Sequence, residues 1–231
     1  MVPAVGWSSR TQWAVYAAIV AIAVLLAMVP ATAPYFAWLF GELNPPVVVL
    51  VAGAVGAACL AALRSLDGFE ILSRGSTMRG VAVGACLATV LGIAIVIADL
   101  VFRYPEDINA PIPQALAFYP SVGLVAEVVF HLLPLTLILI ALLPLRDRLG
   151  THRATWIAIT LVAVAEPSFQ VLFGGETPPL AVYTWIHVFA IAFLQLYLFR
   201  RYDFVSMYSL RLGYYLYWHL AWSTLRLKLL F

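Results

Sequence analysis

Charge is scarce in this chain. Of 231 residues only 10% are Asp, Glu, Lys or Arg, against 64% hydrophobic, and the mean hydropathy is +0.99. That excludes an ordinary water-soluble domain, in which about 25% of residues are charged. The net charge of +2 gives no reason to expect nucleic acid as a partner. Cysteine is scarce too: Cys59 and Cys86 sit singly in apolar runs, which excludes a disulfide framework and a CxxC metal site. HExxH and GxSxG are absent, so neither a zincin helix nor a nucleophile elbow is encoded. The internal repeat expected of many small transporters is missing as well.

What the chain does have is apolar runs of bilayer length. A helix of about 20 residues spans the hydrocarbon core. On that measure the fold class is all-α, a polytopic transmembrane bundle of seven helices near 12–30, 46–63, 80–102, 116–144, 156–174, 181–199 and 204–225. ELNPP, RYPEDINAPIP and GGETPP separate runs with helix breakers, and PYFAWLF, too short to cross, reads as an interfacial aromatic turn. The first run ends without a small-residue cleavage pattern and reads as a retained helix.

Arginine orients the bundle. One side collects Arg10, Arg64, Arg74, Arg79, Arg146, Arg148, Arg153, Arg200 and Arg201. The other collects Arg103, Arg226 and Lys228, beside Glu42, Glu106, Asp107 and Glu176. The excess of positive loops places the N-terminus in the cytoplasm and the C-terminal tail outside.

Against this apolar background the buried polar residues stand out. Glu127 and His131 interrupt LVAEVVFHLLPL, Glu166 interrupts LVAVAEPSF, His187 lies in VYTWIHVFAIAF and His219 in YYLYWHLAW. A charge at mid-membrane costs about 3 kcal/mol or more, so such residues turn inward and find one another. The spacing agrees: Glu127 and His131, Glu166 and Gln170, and the series Arg211, Tyr215, His219, Ser223 advance by four, and His187 to Gln195 by eight. Each series marks one helical face. Four such faces imply one shared interior, in which Glu127, His187 and His219 are expected to meet. The first three runs offer instead the small-residue seams Gly53/Ala57 and Gly80/Gly84.

Two chemistries would use this set. A Glu with two histidines can hold Zn²⁺, or a buried carboxylate can activate water while His or Arg stabilises an oxyanion. Both hydrolyse amides. The stretch from about 118 to 225 resembles the CPBP family, the CAAX-protease and bacteriocin-processing intramembrane endopeptidases. Its EExxxR motif corresponds to Ala126-Glu127-Val128-Val129-Phe130-His131, keeping the second Glu, with Ala for the first and His for Arg. Its FxxxH motif matches Tyr183-Thr184-Trp185-Ile186-His187 by letters, or Glu166-Pro167-Ser168-Phe169-Gln170 by spacing. Its HxxxN motif matches His219-Leu220-Ala221-Trp222-Ser223, or Arg211 and Tyr215 in an earlier register.

The resemblance implies a membrane-embedded peptidase acting on a membrane-associated peptide or protein. Glu127 would be the base. His187 and His219 would be metal ligands, for instance to Zn²⁺, or oxyanion stabilisers, with His131 beside them. Glu166, Gln170 and Arg211 would support the site. Residues 1–115 would form a three-helix scaffold and 116–231 a CPBP-like four-helix core. Plainer roles are open to each residue. His187 can be an interhelical hydrogen-bonding residue, Glu166 can mark the Pro167 kink, Arg211 can snorkel, and the SLDGFEILSRGSTMRG loop can be a solvated turn. The opposing reading is a non-catalytic relative, an adaptor, immunity or assembly factor, or a small transporter.

Overall fold

A computed structural model describes residues 7–174 and 177–231; MVPAVG at the start and the expected outer charge Glu176 lie outside the described residues. Among the described residues no strand occurs, and six helices are long and apolar enough to cross a membrane. They are α1 (Ser9–Ala27), α2 (Pro45–Asp67), α3 (Thr77–Phe102), α4 (Gln114–Ala141), α5 (Thr151–Phe173) and α6 (Pro178–Arg201). These features make the chain an integral, multi-pass membrane protein. A last run, α7 (204–229), is helical throughout but divided into Phe204–Tyr215, a π-helical segment Leu216–Trp222, and Ser223–Leu229.

Local chemistry sets the ends. Ser8 caps α1 by accepting from the Thr11 amide at 3.2 Å, prolines open α2 and α6 where no amide hydrogen is needed, and Gly68 ends α2 in the left-handed region at φ 67°. Asp203 caps α7 and ties it down. Its Oδ1 accepts from the Ser206 amide at 2.8 Å and the Ser206 hydroxyl at 2.7 Å, and its Oδ2 accepts from the Ser73 amide at 2.9 Å and from the Thr77 hydroxyl.

Two connections depart from expectation. PYFAWLF is not a turn but part of a helix, Ala33–Phe40, whose Phe36 is buried edge-on against Phe118 at 5.4 Å while Trp38 stays outside. Two aromatic anchors with opposite exposures suit a short helix better than a loop. The 65–80 loop is likewise not a solvated turn. Phe69 and Ile71 are buried, Phe69 packs on Phe199 at 4.5 Å, and Gln12 Oε1 accepts from the Ile71 amide at 3.0 Å and from Arg64 at 2.8 Å. Its apolar pair FEI supplies what a solvated turn would lack.

The small-residue seam of α3 packs along α7. A Cβ on Gly80 would strike Ser206, and one on Gly92 would come within 2.7 Å of Tyr217. Gly213 of α7 returns the close approach, against Ala88. Backbone proximity of this kind seats α7 deeply enough to carry Arg211 into the interior.

Candidate functional site

Four helices deliver one polar residue or more to the same buried point. From α4 comes Glu127, fully enclosed: its Oε1 accepts from Arg211 Nε at 2.6 Å and from the Gln195 amide nitrogen, and its Oε2 accepts from His131 Nδ1 at 2.6 Å. From α5 comes Glu166, which takes the other edge of the same guanidinium, Oε1 from Nη1 at 3.0 Å and Oε2 from Nη2 at 2.8 Å. Arg211 also donates to Tyr215 Oη at 3.0 Å and to Gln195 Oε1 at 3.3 Å. Every nitrogen of the guanidinium is therefore engaged. His131 Nε2 faces Glu166 Oε2 at 3.6 Å, beyond hydrogen-bond reach.

Both Glu127 and His131 lie in a π-helical segment, Glu127–Leu132, that interrupts α4. Such segments are rare and often found at functional sites. The second π-helical segment, in α7, carries His219. On α5 the helix is broken at Val164, and Pro167 cannot donate to the carbonyl of Ala163. Glu166 thus enters the interior at a kink, where it pairs with Arg211.

Other expected members are elsewhere. Gln170 is exposed. A four-residue step advances a helix face by about 40°, and beyond the kink that step carries Gln170 off the packed side that buries Glu166. His187 is buried, with Tyr183 and Tyr214 on either side of its ring nitrogens. Tyr183 spends its proton on the Ala94 carbonyl at 2.9 Å, so it accepts from His187 Nδ1 at 3.4 Å, which leaves Nε2 to accept from Tyr214 at 3.2 Å. This is a neutral, satisfied imidazole. It is two helical turns, about 12 Å along the axis, from Gln195.

His219 stacks on Tyr119 at 3.9 Å and donates from Nδ1 to Asn109 Oδ1. Its ring meets that of Tyr215 edge-on at 4.9 Å, and Tyr215 in turn accepts from Arg211. Among the described residues neither histidine bonds Glu127 directly: Tyr214 touches both His187 and His219, and Tyr215 touches both His219 and Arg211.

The residues do not fit a metal. Among the described residues no group of three or more His, Cys, Asp and Glu side chains is placed to hold an ion. Glu127 and Glu166 flank a guanidinium, which already supplies the positive charge that a cation would bring, and His131 bonds the remaining oxygen of Glu127.

A second ionic cluster was not anticipated. Asp99 of α3 and Arg226 of α7 are buried together, Nε to Oδ2 at 2.7 Å and Nη2 to Oδ1 at 3.0 Å, and the Trp222 indole adds a bond of 2.6 Å. Arg226 also donates to the carbonyls of Tyr104, Pro105 and Glu106, so the C-terminal end of α7 shares a face with the RYPEDINAPIP loop. Asp99 interrupts the apolar run IVIADLVF just as Glu127 interrupts its own, and that signal was available.

Compared with known proteins, the chain matches no family model, no curated protein and no solved structure.

Proposed function

We propose that the chain is a divergent CPBP-type membrane protein in which the positions of the hydrolytic centre hold an ion-pair lock, and that it acts by binding another membrane protein, as an adaptor or assembly factor. The observation that carries this reading is the state of Glu127: no exposure, and both oxygens occupied by Arg211, Gln195 and His131. A general base must reach a water molecule next to the scissile bond. A carboxylate clamped by a guanidinium is a poor base and a good structural partner. The Ala at 126 points the same way, because it removes the family's other carboxylate. The nine arginines of the loops place the N-terminus in the cytoplasm on this reading.

One observation favours a membrane-embedded endopeptidase instead. The two π-helical segments carry Glu127, His131 and His219, the residues that the resemblance assigns to chemistry. In that case the lock opens when a membrane-associated substrate displaces Arg211.

The variant Glu127→Gln separates the two. For a lock, the purified protein loses thermal stability, because Arg211 and His131 lose a charged partner in a low-dielectric interior. His219→Ala is then no more harmful to the cellular phenotype than its own effect on protein level. An unchanged melting temperature, together with a loss of peptide cleavage on the order of 10²–10⁴-fold, would establish the peptidase and end the adaptor reading.

A further inference from the structure

The outer surface of α3 holds a concavity with charge at its mouth. Arg79, Ala82, Val83, Cys86, Leu87 and Val90 line a groove of about 310 Å³. Below Arg79 every lining residue is apolar, and the exposed small side chains Ala82 and Cys86 leave room between their bulkier neighbours. From Arg79 to Val90 the helix rises about 16 Å, half of a hydrocarbon core of about 30 Å. The exposed apolar face runs on past Val90 through Ile93 and Ile97, so charge rather than length decides the occupant: a lipid headgroup brings an anion to the membrane edge and an apolar helix does not.

The mouth has the matching charge. Arg79 is exposed and, among the described residues, has no hydrogen-bond or ion-pair acceptor. Arg201 lies 5.5 Å over the ring of Tyr202, and that ring packs against Gly80, the residue next to Arg79. The nearby carboxylate, Asp203, is fully used by its bonds to Ser73, Thr77 and Ser206. Among the described residues neither guanidinium pairs with a carboxylate, and each can meet a phosphate with a two-pronged bond.

We propose that this groove binds one anionic glycerophospholipid from the leaflet on the arginine-rich side, with its phosphate held by Arg79 and Arg201 and one acyl chain lying along Ala82, Cys86 and Val90. The site is independent of the Glu127 lock.

Native mass spectrometry of the full chain in detergent, with phosphatidylglycerol or phosphatidylcholine of the same chain length, tests it. The wild type is expected to retain one phosphatidylglycerol in preference to phosphatidylcholine. The pair Arg79→Gln and Arg201→Gln should weaken that binding about 25-fold, from roughly fivefold per guanidinium near the membrane surface. Cys86→Trp should fill the groove and weaken binding with the charges intact, whereas Cys86→Ala should not. All these positions are exposed, and melting curves without lipid verify folding. Equal retention by the wild type and the double variant, equal preference for the two lipids, or insensitivity to Cys86→Trp would overturn the proposal. So would high-yield disulfide dimers through Cys86 under mild oxidation in nanodiscs, which would make the groove a contact between two copies of the chain.

Discussion

Arg211 is the residue on which the interior turns. One guanidinium satisfies two carboxylates from two helices, and among the described residues neither carboxylate pairs with another Arg or Lys. Truncating one member of a buried pair leaves a bare charge and costs about 3–5 kcal/mol. Arg211→Gln is therefore expected to lower the melting temperature of the purified protein more than Glu166→Gln does, because it strands two carboxylates rather than one. Arg211→Lys should recover only part of the loss, since an ammonium cannot offer planar edges to both partners. A lysine variant as stable as the wild type would mean that charge alone, without the fork, holds the cluster. Glu127, His131 and Glu166 were legible because each breaks an apolar run, and Arg211 because it opens a series of four-residue steps. The sequence could not separate them from His187: the Tyr183 partner stands four residues away on the same helix, but the Tyr214 partner comes from α7 and leaves no mark on spacing.

Among the elements, the long helices were readable from apolar length and breakers: the run expected at 46–63 is Pro45–Asp67, and that at 181–199 is Pro178–Arg201. The π-helical segments were not, since one extra residue per turn leaves the apolar pattern intact and is decided by which neighbours must be met. Nor was the 65–80 loop, whose burial depends on the Asp203 cap from far along the chain. That cap joins the loop, the start of α3 and the start of α7. Asp203→Ala removes the acceptor for two amides and two hydroxyls, and is expected to cost about 2 kcal/mol or more, above a simple cap deletion. Limited proteolysis should then cut within 65–76 in the variant and spare the wild type. Equal resistance in both would show that Phe69 and Ile71 hold the loop without the cap.

At the scale of the whole molecule, two ionic clusters sit on different helix sets, Glu127–Arg211–Glu166 across α4, α5 and α7, and Asp99–Arg226 across α3 and α7. Helix α7 is common to both and is the strut of the bundle. Its far end shares a face with the 103–113 loop, and this fixes which loops must label together. In a background without native cysteines, Ile108→Cys should react with a membrane-impermeant thiol reagent in intact cells and Ser65→Cys only after lysis; the reverse would invert the orientation. On the proposed reading, Glu127 and Arg211 are coupled as a structural lock. A double-mutant cycle of Glu127→Gln and Arg211→Gln, read by reversible unfolding in micelles, measures that coupling directly. The lock predicts a coupling free energy of about 2 kcal/mol or more, with the double variant less damaged than the sum of the singles. Additive losses, within about 0.5 kcal/mol, would contradict it.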